Sequence, residues 1–440
     1  MPLPADSPFL SRSFTAFLIS RVVGNLAFQM QAVAIGWQMY ALTGDPLDLG
    51  LVGLVQFLPS VLLVLVVGQV ADRFDRRWVV MLAGLALAGC LLALMALSAQ
   101  GLLNRTAVFT LVFLIGVMRA FQLPSAQALV PNLVNARQLP KAIAWSSIGF
   151  QASSILGPAI GGFLYLAGPT LVYGLSAALL ALSALLMITV RLTRQVPGRE
   201  PVSRQTLFAG FVFVRSQPVI LGAISLDLFM VLLGGATALM PIFASEILLV
   251  GPWGLGLLRA APGVGAVAMA VVISKWPIRR RVGRRMFIAA GGFGLATLMF
   301  GLSRHFHLSL AALVMLGAFD MINVIIRQSI VQLDTPDAMR GRVASVNALF
   351  IGASNRLGEF ESGLTAAWWG AAPATVVGGL GTLLVAGLWI RWFPALWHRD
   401  RLQREDSDAM VVHPAVGSPA SDASISRPRE PDRAGPARVE

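Results

Sequence analysis

The sequence predicts an all-α membrane protein of 12 transmembrane helices in two six-helix pseudo-repeat bundles. Composition is the first observation behind this: 56% of the 440 residues are apolar and only 12% are charged, whereas a soluble domain runs near 45–50% apolar and about 25% charged. Periodicity is the second, because apolar stretches of roughly twenty residues, the length that spans a bilayer, recur along the chain. Charge placement is the third, since nearly all the arginines fall in every other break between those stretches. A soluble enzyme is excluded, and so is disorder over most of the length, because disordered chains are poor in Leu, Val and Phe. Mean hydropathy is +0.74.

The stretches fall at about 14–42, 47–71, 78–98, 106–130, 140–166 and 170–190, then at about 218–243, 253–275, 286–303, 308–332, 343–369 and 373–394. No cleavable signal peptide is expected, because the first stretch is long and carries Arg21, Asn25 and Gln29. The breaks around Arg73–Arg77, Arg137–Lys141, Arg191–Arg215, Lys275–Arg285 and Arg340–Arg342 hold the bases, along with Arg12 and Arg399–Arg404. Bases collect on the cytoplasmic side, so both termini are expected to be cytoplasmic. The net charge of +13 is then a topology signal and not a nucleic-acid footprint. Trp78, Trp253, Trp276, Trp392 and Trp397 stand at span ends, where interfacial aromatics gather. Cys90 is the only cysteine, so no intrachain disulfide is possible.

The expected organisation is an N-terminal bundle at 1–190, a cytoplasmic linker at 191–217, a C-terminal bundle at 218–397 and a disordered cytoplasmic tail at 398–440. Within the linker, Leu207, Phe208, Phe211, Val212 and Val214 lie at helical spacing beside Arg204 and Arg215. They fit either an amphipathic helix on the membrane surface or a plain tether. Beyond His398 the composition turns to Pro, Ser, Asp and Arg, which cannot bury a core.

The halves resemble each other. Arg73-Phe-Asp-Arg-Arg77 precedes Arg281-Val-Gly-Arg-Arg285 by 208 positions, and Phe113-Leu-Ile-Gly116 precedes Val314-Met-Leu-Gly317 by 201. At the same 201 offset Ser153, Gly157 and Gly162 meet Ser354, Gly358 and Gly363. Parallel repeats of this kind place a substrate site between them near the midplane.

Several ionisable groups lie within spans, where they mark a cavity, a partner or a proton path. Arg119 is near the middle of span four and Asp227 is inside span seven. Asp320, Asn323 and Arg327 share a face of span ten at i, i+3 and i+7. Span eleven carries Arg356, Glu359 and Glu361, the first two one turn apart. Asp320 and Glu359 are the leading candidates for proton or cation handling, and a merely structural Arg356–Glu359 pair is the alternative. Gln31, Trp37, Gln38, Asn347 and Asn355 are candidate cavity-lining groups. Thr335, Pro336 and Asp337 read as cap, first position and first turn of span eleven's helix. His305 and His307 have no further ligands nearby and make a poor metal site.

Gly68-Gln-Val-Ala-Asp72-Arg73-Phe-Asp75-Arg76-Arg77 resembles the loop between spans two and three of the major facilitator superfamily, G-x-x-x-D-R-x-G-R-R, with Asp75 in place of the second Gly. The resemblance implies that Asp72, ending span two where the helix dipole disfavours negative charge, contacts span eleven and latches the cytoplasmic side. Arg73, Arg76 and Arg77 would be its charge network, or would only set topology while Asp75 caps span three. Arg119 is similar to the family's span-four arginine, associated with proton coupling; an interhelical ion pair is the other reading. Ser153-Ser-Ile-Leu-Gly157-Pro158-Ala-Ile-Gly161-Gly162 resembles the span-five motif of exporters, G-x-x-x-G-P-x-x-G-G, although small-residue packing gives the same pattern. Ala209–Pro218, Gln332–Arg342 and Gly358–Gly363 narrow the likeness to the bacterial branch that includes the enterobactin exporter and related drug and macrolide exporters. It covers about residues 12–395 and implies proton-coupled export of a siderophore or amphipathic small molecule, by a monomer without cofactor or metal. A facilitator or importer is the alternative within transport. A membrane-embedded lipid-modifying enzyme is disfavoured, for want of a paired-acid metal motif or a nucleophile with its base.

Overall fold

The computed structural model describes residues 11–135, 137–191 and 204–402. Outside that description lie residues 1–10 and 136, most of the linker (192–203), the expected tail from 403 onward, and the side chains of Leu65, Gly68, Gln69, Ala71, Asp72, Arg204–Leu207, Ala236, Asp337 and Ala338. Every described element is helical. Spans one to six are Arg12–Thr43, Pro46–Leu62 continuing as Val64–Arg73, Arg76–Ala99, Arg105–Leu133, Leu139–Leu164 and Pro169–Leu186. Arg204–Ser216 is a separate helix in the linker. Span seven starts as Pro218–Leu233, and spans eight to twelve are Gly251–Lys275, Val282–Leu302, Phe306–Leu333, Asp337–Trp369 and Ala371–Trp392. Ten of the twelve are by themselves long and apolar enough to cross a bilayer. The others are span two, which leaves the helix at Leu63 just after Pro59, and the charge-bearing span eleven.

Local chemistry sets the ends. Asp45 accepts from the Leu47 N–H at 2.9 Å and Asp75 from the Arg77 N–H at 2.9 Å, starting spans two and three. Gly44 ends span one at φ 63°, a left-handed turn that favours glycine. One expectation shifts here. The capping reading of Thr335 is one residue off: Pro336 is the cap position, span eleven's helix starts at Asp337, and the Thr335 hydroxyl is buried without a partner among the described residues. Span seven runs over Pro218–Ile247, interrupted at Gly234 and Gly235, with short 3-10 and π turns carrying it on to Ile247. Of the span-end tryptophans, Trp78, Trp276 and Trp392 are exposed, while half-buried Trp253 stacks on Phe163 and meets Phe306 edge-on, and half-buried Trp397 meets Phe287 edge-on.

Residues 398–402 are fastened to the last six spans. Arg399 reaches Asp334 at 2.7 Å, and Asp400 accepts from the Arg281 and Val282 N–H groups at 3.0 and 3.2 Å, through its carboxylate and its carbonyl. The composition break at His398 missed this because the fastening uses an ion pair and polar hydrogen bonds, which leave no hydropathy signal. Arg281 sits at φ 53°, a conformation costing a non-glycine residue about 1–2 kcal/mol, and the Asp400 bonds hold it there.

Helix packing repeats with a six-span shift. Spans one and five, two and four, three and four, three and six, and one and six pack together; so do seven and eleven, eight and ten, nine and ten, nine and twelve, and seven and twelve. Spans five and eight meet across the halves, as do spans two and eleven. Glycine makes these crossings, since lipid gives no hydrophobic drive between helices and close backbone approach must supply the attraction. A Cβ at Gly116 would sit 2.2 Å from the Gln56 carbonyl oxygen, and one at its repeat partner Gly317 would sit 1.9 Å from that of Pro262. Gly162 abuts Gly256 of span eight just as Gly363 abuts Gly50 of span two. Gly157 presses on Leu26 and Gln29 of span one, and Gly358 on Val231 and Leu232 of span seven. The residues that showed the repeat in the sequence are therefore the ones at which backbones touch.

Two outcomes follow. Gly317→Ala should lower the melting temperature in detergent markedly, because the span-eight backbone must move. Gly89→Ala, with nothing within 4 Å of the added carbon, should be neutral or stabilise by up to about 1 kcal/mol. Hydrogen bonding from Arg77 holds the Asp75 carboxyl below the usual range. That stabilisation is present above the unfolded carboxylate's pKa of about 4 and fades as pH falls through the lower folded value. Both side chains are about a third exposed, so Asp75→Asn should cost about 1 kcal/mol or less at neutral pH, and the difference should vanish in acid when melting is followed against pH.

Candidate transport cavity

A cavity of about 330 Å³ lies between the halves, walled by spans one, two, five, seven, eight and eleven. The halves join at the end of the molecule where the loops are poor in arginine. Tyr40 of span one donates a hydrogen bond to Glu246 at the end of span seven, and Phe163 of span five stacks on Trp253 of span eight with ring centroids 6.3 Å apart. The crossings of Gly162 with Gly256 and of Gly363 with Gly50 fall in the same half.

Span eleven puts the principal charges into this cavity. Arg356 Nη1 donates to Glu359 Oε2 at 2.9 Å, one turn apart, so this expected pair is present. Gly53 makes room for it, since a Cβ there would clash with the Glu359 carboxylate. Opposite stands Arg259 of span eight, attracted by Glu359 and repelled by Arg356, its guanidinium 3.2 Å from where a Cβ on Gly36 would be. Gln31 is 1% exposed, and neither its amide nitrogen nor its oxygen has a partner among the described residues. A buried amide left unpaired costs about 1–3 kcal/mol, and this one lies in the cavity wall. Of the other polar candidates, Asn355 lines the cavity. Trp37 packs on Tyr165, Gln38 bonds Ser98 and Tyr173, and Asn347 accepts from Arg327 at 2.7 Å.

A second compartment of about 320 Å³ adjoins, sharing Thr237, Met240 and Asn355 with the first. The broken stretch of span seven at Gly234–Gly235 forms one wall and Asp320 another. Asp320 has no hydrogen-bond or ion-pair partner among the described residues. Behind it, Asp227 and Arg327 face each other at 3.3 Å, almost wholly buried. Asn323 turns away to the span-nine backbone, within 3.0 Å of the Met286 carbonyl. The i, i+3, i+7 stripe thus splits between one group in a cavity and two in the core.

A third recess, within the first six spans, is lined by Arg21, Asn25, Arg119, Gln122 and Ser146. Arg119 lies 3.9 Å from the Phe28 ring centroid and donates to Gln122 Oε1 at 3.2 Å. It has no carboxylate partner among the described residues, where a ring face and an amide stand in place of the acid that the interhelical ion-pair reading expected. Glu361 lines neither of the two larger compartments. Pro158 lines the first, whereas Gly157, Gly161 and Gly162 serve helix contacts with spans one and eight. Arg77 binds Asp75 and the Val190 carbonyl, Arg73 is exposed, and the Asp72 and Gly68 side chains lie outside the described residues. Arg259, Tyr40 and Glu246 escaped the sequence reading. Arg259 carried the signal that picked out Arg119, a lone arginine well inside an apolar span.

Breaking the buried pair should be costly. Asp227→Asn leaves Arg327 uncompensated and should destabilise by about 3–5 kcal/mol, while Asp227→Leu combined with Arg327→Met should recover most of that, both read by melting in detergent.

The whole arrangement has known counterparts. Residues 4–423 match the family described as transmembrane secretion effector. The chain is 26% identical over 377 residues to the enterobactin exporter of Escherichia coli O1:K1, covering 84% of this chain and 86% of that protein, and the same figures hold for the Shigella boydii serotype 18 protein. Among solved structures, a bacterial homologue of the human lysosomal transporter Spinster, inward-facing and unoccupied, aligns with a TM-score of 0.71 at 14% identity, covering 88% of this chain and 98% of that one. A bacterial homologue of the iron transporter ferroportin, inward-facing, aligns at 0.67 and 17%, covering 87% and 98%. With a cavity between two matching sets of six helices and a family match running nearly end to end, this multi-pass membrane protein belongs to the transmembrane secretion effector family of major facilitator transporters.

Proposed function

We propose that the chain is a secondary active exporter of a siderophore or amphipathic small molecule, driven by proton antiport and working by alternating access. It sits in the bacterial inner membrane as a monomer with both termini cytoplasmic. The bundles at 1–190 and 218–397 rock about the cavity, and the linker ties them. The observation that carries the coupling is the placement of carboxylates. Asp320 faces a compartment that adjoins the cavity and lacks a partner among the described residues, which leaves it open to a proton, and Glu359 stands in the cavity itself. Arg119 would serve coupling from span four. Asp72, with Arg73, Arg76 and Arg77, would latch span eleven when the arginine-rich end closes; spans two and eleven here cross at the opposite end, through Gly50 and Gly363. The named relative is an exporter, and that supports the direction. A facilitator finds support in the Arg356–Glu359 pair, which satisfies Glu359 without a proton.

Proteoliposomes holding a pH-sensitive dye separate these. Catecholate siderophores, macrolides and lipophilic cations would be added to wild type, Asp320→Asn and Glu359→Gln. Antiport requires substrate-driven proton movement that falls at least about tenfold in Asp320→Asn, a barrier change of about 1.4 kcal/mol. Substrate flux without proton movement in wild type would replace the exporter with a facilitator. For orientation, Gln100→Cys and Lys275→Cys in a Cys90→Ser background should be labelled by impermeant maleimide from outside and inside the cell, respectively.

A further inference from the structure

The charges around the cavity do not balance. Arg259 and Arg356 line the first compartment against Glu359 alone, and Arg21 and Arg119 line the recess beside it with no acid. Asp320 is the only acid on the wall of the second compartment. The four arginines are neighbours in space: Arg259 and Arg356 share the first compartment with Phe28, the Phe28 ring carries Arg119, and Arg119 shares the recess with Arg21. Each is partly buried, so none is fully bathed by bulk water. Like charges held together at membrane depth need a counter-ion, and the described side chains supply too few. The donors are also left over. Arg21 and Arg259 make no hydrogen bond among the described residues, Arg119 uses one nitrogen on Gln122, and the buried Gln31 amide is unpaired. An arginine fork matches a planar carboxylate with two parallel hydrogen bonds.

We propose that the transported molecule is an organic anion whose carboxylate is held by Arg259 and Arg356 with Gln31 donating beside them and the Arg119 charge behind Phe28, and that the cavity rejects organic cations. This rests on the cavity's being the transport site and names its substrate class. The aromatic body of such a ligand would meet Phe28, which already stacks on Arg119. Glu359 is the built-in competitor for Arg356, so a bound anion would free that carboxylate.

The test compares probes of one shape and different charge on purified protein in nanodiscs: 2-naphthoate, its uncharged amide, and the corresponding amidinium cation. Binding and proteoliposome flux are both measured. The anion should bind at least about tenfold more tightly than the amide, with affinity falling as salt rises. Arg259→Gln and Arg119→Gln should each weaken the anion selectively, and Arg259→Lys should restore part of it. Equal binding of the amide, or preference for the cation, would overturn the charge selection even in wild type, so no variant's folding decides the matter. Flux of the amide or cation in that case would leave the transporter reading standing. Displacement of the anion by phosphatidylglycerol but not by free benzoate would also overturn it, assigning the arginines to lipid headgroups.

Discussion

Everything in this molecule depends on how closely two helix backbones can approach where a glycine removes the side chain. In a bilayer the surroundings are as apolar as the helix faces, so burial drives little and contact distance does most of the sorting. Gly116, Gly162 and Gly157 on one side, and Gly317, Gly363 and Gly358 on the other, fix which helices cross and at what height. Spans five with eight and two with eleven are thereby pinned across the halves at the arginine-poor end. The cavity is what remains between the halves beyond those crossings.

Charge is distributed over this frame in two different ways. Asp227 and Arg327 neutralise each other in the core of the last six spans, where a lone charge would be strongly destabilising. Arg21, Arg119, Arg259 and Arg356 instead face open compartments, where the described residues offer them a single carboxylate, Glu359 on Arg356. The packing is symmetric between the halves and the charge is not. A shared scaffold thus carries a site whose chemistry comes from unmatched residues, as expected when function is grafted onto a fold.

The span count, the repeat and most of the intramembrane charges were legible in the sequence because each leaves a local mark: an apolar run, a glycine at a fixed offset, an arginine where none should be. The Arg356–Glu359 pair was readable from helical spacing alone. Pairings between distant spans were not, since nothing in the chain tells Asp227 that its partner is Arg327 rather than Arg356. The carboxylate missing from Arg119 was likewise invisible, because Phe28 and Gln122 stand 91 and 3 positions away and are ordinary residues for their spans. The break in span seven could have been suspected from Gly234-Gly235, but paired glycines are common in membrane helices and most do not break them.

The stretch after span twelve repeats a device of the first half. Arg77 at the start of span three donates to the Val190 carbonyl just after span six at 2.9 Å. Arg281 and Val282 at the start of span nine donate to Asp400, just after span twelve. Each set of six helices therefore carries its own clasp between third and sixth members, the first made by the Arg77 guanidinium and the second by the carboxylate and carbonyl of Asp400. Torque applied to one of these loops passes to the other directly, without loading the lipid-facing contacts between. Cutting the chain at 397, where the composition changes, would unfasten one set and leave the other intact, whereas cutting after Leu402 spares both.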